Sequence, residues 1–92
     1  MQRIIKFITE RVNQDPEVNM AKIEEIPFSI ETAKTNGWFR PFVVVCLDAP
    51  YIETIYGFIG DFAASFDSIT TNISVYIYDN RAHAVVEIMY NE

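Results

Sequence analysis

The sequence predicts an α+β fold, a two-layer sandwich with two helices on one face of a four-stranded antiparallel sheet, in the order α-β-β-α-β-β. Three observations carry this. Apolar residues recur at helical spacing in two stretches, residues 2–13 and 49–66. Period-two alternation marks two others, 28–47 and 69–90. No linker, repeat or low-complexity segment separates them, so the 92 residues read as one compact domain. Packing both helices on one sheet face buries every apolar stripe in a single core.

In residues 2–13, Ile4, Ile5, Ile8 and Val12 share a helix face with Phe7 beside them, and Lys6 and Glu10 form a wet i, i+4 pair. Asn13 and Asp15-Pro16 end the helix. Residues 16–25 fit either a short helix or an irregular link. Pro27 then marks an entry or an edge.

Residues 28–47 read as a hairpin turning at Asn36-Gly37. A two-residue loop there pairs Phe28 with Val45, Ile30 with Val43, Thr32 with Pro41 and Lys34 with Phe39 on one largely apolar face. A rival reading makes Ser29 an N-cap, the next residues a short helix and Gly37 its left-handed C′ residue. The hairpin is preferred because Thr32 and Thr35 are poor helix formers.

Residues 49–66 read as a helix capped by Asp48 or Ala49, with Pro50 in its first turn and Ile52, Ile55, Ile59, Phe62, Ala63 and Phe66 on its core face. Residues 69–90 read as a second hairpin turning at Asn80-Arg81. That register pairs Ile77 with Ala84, Val75 with Val86 and Ile73 with Ile88 toward the core. Outward it pairs Tyr78 with His83, Tyr76 with Val85, Ser74 with Glu87 and Asn72 with Met89.

Charge is unevenly placed. Residues 1–40 hold six bases and six acids, whereas residues 41–92 hold seven acids and only Arg81, so the second half supplies the whole net charge of −6. This balance argues against direct nucleic-acid binding, which needs clustered Lys and Arg, and against an anionic membrane surface. It suits a basic protein partner. A single cysteine allows no intrachain disulfide, which points to a reducing, cytoplasmic setting.

Candidate chemistry is sparse, and no catalytic, cofactor or metal site is expected. Cys46 lies in an apolar run and reads as a small buried hydrophobe. His83 is the only histidine and cannot make a metal site alone. A Tyr78–His83–Glu87 row could move protons, but a solvated cross-strand ladder is the plainer reading. Glu24 and Glu25 are adjacent and point apart, and Asp61 and Asp67 have no specific spacing. Gly57-x-x-Gly60 encloses Phe58-Ile59 rather than the basic pair of a nucleic-acid clamp.

Contact surfaces are the stronger signal. Glu53, Gly57, Gly60, Asp61 and Ala64 cluster opposite the core stripe of the second helix. Two glycines there imply close approach by another backbone, or a bend or break in the helix. Trp38 and Arg40 follow the first turn and are residue types enriched at interfaces; Trp38 could equally close the core. Tyr76, Tyr78, His83, Val85, Glu87 and Met89 make the outer face of the second hairpin, too apolar for an idle surface.

The expected function is a non-catalytic protein-binding domain of inhibitor or immunity type, such as a phage anti-defence protein, that blocks a basic, nucleic-acid-handling protein. The alternative is a structural homodimer or assembly subunit. A DNA mimic ranks lower because its carboxylates would be thinly spread, as does a small enzyme using His83 and Glu87.

Overall fold

Four strands pair antiparallel in the order β1-β2-β4-β3, and two of the three helices cover one face of the sheet. A computed structural model describes residues 2–37, 39–66 and 68–90, with backbone alone at Asn36 and Tyr90. The elements are α1 (Gln2–Asn13), β1 (Asn19–Ile26), α2 (Ile30–Asn36), β2 (Phe42–Ala49), α3 (Ile52–Ser65), β3 (Ile69–Tyr78) and β4 (Arg81–Tyr90). The fold class read from the sequence holds. The order gains one helix, and the first strand moves upstream.

That displacement has a local cause. Residues 28–36 do not form a strand; the short-helix reading is correct and the hairpin at Asn36-Gly37 is not. Ser29 is the N-cap, with its Oγ accepting from the Thr32 backbone N–H at 3.1 Å. The Thr32 hydroxyl accepts from the Ser29 N–H in return, at 3.1 Å, which completes a capping box. At the other end Gly37 sits at φ 75 and donates its N–H to the Ala33 carbonyl at 2.9 Å. Glycine adopts that left-handed geometry without a Cβ penalty. Caps at both ends therefore outweigh the low propensity of Thr32 and Thr35. Phe28 and Ile30, assigned to an apolar hairpin face, are exposed. Ser29→Ala is expected to lower stability by about 1 kcal/mol, the usual loss for an N-cap, read as a shifted denaturation midpoint.

The strand role falls instead to the ambiguous segment. β1 pairs with β2 through Ile23–Val45 and Ile26–Phe42, with a register break between Met20 and Lys22. The second helix also starts later than its sequence suggests. β2 runs through Ala49, the Asp48 carboxylate is held by Arg81, and Tyr51 takes the N-cap position without a side-chain cap bond. Pro50 precedes the helix rather than lying in its first turn.

The core lies between the helices and one face of the sheet. Val43, Val45, Leu47 and Ala49 of β2 and Ala82, Ala84, Val86 and Ile88 of β4 point into it, together with Ile4, Ile8 and Val18. From α3 the buried residues are Ile55, Phe58 and Phe62, with Phe66 at its C-cap. Phe58 is missing from the stripe read in the sequence, whereas Ile59 is only half-buried and Ala63 is exposed. An aromatic seam explains the rotation. Phe58 meets Phe62 edge-on at 4.6 Å, and Phe7 of α1 meets Phe62 at 6.0 Å and Phe66 at 5.2 Å. Arg11 lies over the Phe58 ring at 5.0 Å and Arg3 over Phe66 at 5.8 Å. Edge-to-face pairs and guanidinium caps each add to simple burial.

The second hairpin forms, but its turn is Asp79-Asn80, both at positive φ (53 and 60). Two left-handed residues make a type I′ turn, whose twist matches the flanking strands, and Asp and Asn tolerate that region best after glycine. The pairing therefore moves by two residues from the expected register. Ile77 faces Ala82, Val75 faces Ala84, Ile73 faces Val86 and Tyr76 faces His83. Because the shift is even, every side chain keeps its predicted face.

Candidate functional site

One sheet face carries α1 and α3. The other carries none of the long helices, and most of the residues singled out in β3 and β4 lie there. Alternation along the strands sets it out in rows. Ile26, Phe42, Met89 and Thr70 form one row, and Glu24, Val44, Glu87 and Asn72 the next. Lys22, Cys46, Val85 and Ser74 follow, then Asp48, His83 and Tyr76, with Arg81 and Tyr78 at the hairpin end. Phe42 is nearly inaccessible, while Ile26, Val44, Cys46, Val85 and Met89 are half-buried. Ile26, Val44, Cys46, Val85 and Met89 are thus partly accessible on this face, whereas Phe42 is already covered by the chain itself.

Polar pairs are interleaved with these residues, and Glu87 stands between Val85 and Met89 on β4, beside Val44. Lys22 reaches Glu24 at 3.4 Å, and the Asn72 amide donates to Glu87 at 3.1 Å. Arg81 donates to one Asp48 oxygen through Nη2 at 2.7 Å and Nε at 3.2 Å. The Asn19 amide donates to the same oxygen at 3.2 Å. His83 stacks on Tyr76 with centroids 5.2 Å apart and planes 8° from parallel. Its edge meets Tyr78 at 6.0 Å, and its Nε2 lies 3.2 Å from the Tyr78 carbonyl oxygen. Partly accessible apolar side chains among mutually satisfied polar pairs suit a contact surface.

Several assignments change. Cys46 is not part of the helix-side core; it is half-buried at the centre of the open face. The Tyr78–His83–Glu87 row does not assemble as read: Tyr76 is the partner of His83, and Glu87 is held by Asn72 two rows away. Glu24 and Glu25 do point apart, toward Val44 and Val43 positions on opposite faces. Trp38 and Asp67 lie outside the described residues. Arg40 is exposed near the end of the sheet where β2 begins.

On the outer face of α3 the expected break at a glycine does not occur, and approach by the backbone of a partner or a second copy stays a proposal. The helix runs without a break from Ile52 to Ser65, so neither glycine interrupts it. Outside the helix's own backbone, a Cβ at Gly57 or Gly60 would meet nothing within 4 Å among the described residues. Glu53 is exposed in the first turn, where its charge suits the helix dipole. Asp61 binds Arg11 at 2.9 Å and ties α3 to α1, so it serves the fold.

Pairing of Asp48 and Asp61 draws two carboxylates of the acidic half into the structure. Sequence reasoning missed Phe42, Val44 and Cys46 as contact residues. The sequence pairing does place Phe42 and Val44 on the face opposite Val43 and Val45, but with a polar strand from residues 28–36 beside them rather than β4. Among the described residues no three His, Cys, Asp or Glu side chains are grouped to hold a metal ion, and no helix is long and apolar enough to cross a membrane. Compared with protein-family models, with curated proteins and with solved structures, the chain gives no match.

Proposed function

We propose that this protein is a non-catalytic binding module that docks on another protein through the sheet face opposite α1 and α3. The supporting observation is the set of partly accessible apolar residues Ile26, Val44, Cys46, Val85 and Met89, interleaved with mutually paired polar groups. The net charge of −6 adds the second half of the reading. Net charge acts at long range even where individual acids are paired, and it steers association with a basic partner. Tyr76, Tyr78 and His83 at the hairpin end supply the aromatic contacts that such interfaces favour. Coverage of a basic, nucleic-acid-handling surface would make the module an inhibitor of immunity type, and a phage anti-defence role is one setting for it.

The test is capture of proteins on the immobilised chain at low and high salt, beside Val85→Glu. That substitution buries an unpaired charge in any docked complex while touching nothing in the helix-side core. Expected is a basic protein retained at low salt, reduced at high salt and lost with Val85→Glu. Retention of nothing at low salt, or an identical set with the variant, would sink the reading. A structural role is the second reading, and the edge of β3 favours it.

A further inference from the structure

We infer that the free edge of β3 is a self-pairing surface, on which a second copy of this chain docks antiparallel about a two-fold axis at Ile73. This goes beyond the partner reading and does not depend on it.

The sheet has two edges, β1 and β3, and they are treated unequally. β1 carries Lys22, Glu24 and Glu25 and breaks register between Met20 and Lys22. Charge and a bulge are the usual means of keeping an edge unpaired. β3 has neither. Its ten residues, ITTNISVYIY, include no charged residue, no proline and no glycine, and its pairing with β4 is continuous. β3 also overhangs the helix layer, since α3 packs on β2 and β4 and α1 on β1. Hence Ile73 is 37% and Ile77 64% exposed, although both sit on the core-facing side.

The turn fixes which backbone groups are free. A two-residue loop closes on a hydrogen-bonded pair, here Tyr78 and Arg81. Bonding to β4 then falls to Tyr78, Tyr76, Ser74, Asn72 and Thr70. Ile69, Thr71, Ile73, Val75 and Ile77 turn their N–H and C=O groups outward. An antiparallel copy centred on Ile73 matches this whole set to itself. Ile69 meets Ile77 of the second copy, Thr71 meets Val75 and Ile73 meets Ile73. About ten main-chain hydrogen bonds form. The exposed isoleucines gain β-branched neighbours across the dyad, pairs that stabilise a sheet.

Charge selects the same edge. Two copies each at −6 repel over most of their surface, and β3 offers a long contact without a charged side chain. The paired sheet would run continuously through both copies. Thr70 of one would then stand beside Tyr76 of the other, so the open face would extend across the dyad.

Light scattering after size exclusion, from low micromolar to millimolar protein, tests the inference with the intact chain. Expected is twice the chain mass for the wild type. Ile73→Lys sets two ammonium groups opposite each other and raises the dissociation constant by about tenfold or more. Thr71→Pro removes an outward N–H, leaves the β4 ladder intact and should likewise give monomer. Circular dichroism checks that each variant folds. Independently of any variant, amide exchange of the five odd-numbered residues should slow as wild-type concentration rises. A wild-type monomer throughout, a Thr71→Pro dimer of undiminished affinity, concentration-independent exchange at these amides, or a dimer abolished by Val85→Glu but not by Ile73→Lys would each overturn it.

Discussion

Replacing Phe58 with alanine is expected to lower the free energy of unfolding by about 3–5 kcal/mol, the range for a fully buried phenylalanine. The side chain is 1% exposed, meets Phe62 edge-on at 4.6 Å and is covered by the Arg11 guanidinium at 5.0 Å. Truncation would leave a void at the seam of α1 and α3 and remove an aromatic pair as well as buried area. A domain of this size has a total stability of only about 5–15 kcal/mol, so the variant stands near unfolding. At about 4–8 °C per kcal/mol the melting temperature should fall by at least about 12 °C. Ile59→Ala is the informative control, since Ile59 is half-buried and should lose clearly less. Equal losses at the two positions would mean that the helix presents a different face to the sheet. Denaturant unfolding of both variants decides it.

Replacing Gly57 and Gly60 together with alanine should have the opposite sign. Each glycine lies inside a continuous helix, and an added Cβ meets nothing within 4 Å. Alanine is favoured by about 0.8–1 kcal/mol at such a position, so the pair should gain about 1.6–2 kcal/mol. The melting temperature should rise by about 6–16 °C. The same variant separates two uses of this face. If a partner's backbone needs the notch, the stabilised protein loses that partner. If the glycines serve nothing beyond the chain, stability rises and capture is unchanged. A double variant no more stable than wild type would mean that the helix needs glycine at these positions to keep its path.

How much was legible in the sequence differs by element. α1 was readable because its apolar residues follow a helical period and Asp15-Pro16 stops it. The β3–β4 hairpin was readable because ten-residue alternation survives an error in the turn. Choosing Asn80-Arg81 in place of Asp79-Asn80 moved the pairs by two residues and left every face correct. Residues 28–36 were misjudged because period-two spacing arises there by accident, while the signals that decide it are two local caps at Ser29 and Gly37. The stripe of α3 was misplaced by about one residue because Ile55, Phe58, Ile59 and Phe62 are all apolar. Hydrophobicity alone cannot say which of Phe58 and Ile59 turns inward. The candidate site was half visible. The β4 positions Val85, Glu87 and Met89 and the β3 tyrosines were read correctly as one outer face. Their neighbours Phe42 and Val44 in β2 were given the correct face but the wrong partner strand, since residues 28–36 are a helix and β4 lies beside them instead.

By itself the sequence determined the element types where patterning is long, the uneven charge and the face on which each β3 and β4 side chain stands. These are properties of period and composition, carried by each segment without its neighbours. Tertiary structure alone decided the rest. It chose β1 as the first strand because β2 needs a partner on that side. It turned Phe58 inward because Phe7, Phe62 and Arg11 surround that position. It withdrew Asp48 and Asp61 into ion pairs with residues far away in the chain. It also left one sheet face without either long helix and one edge without charge. Burial, pairing and exposure depend on what other segments occupy, and no window of sequence contains that information.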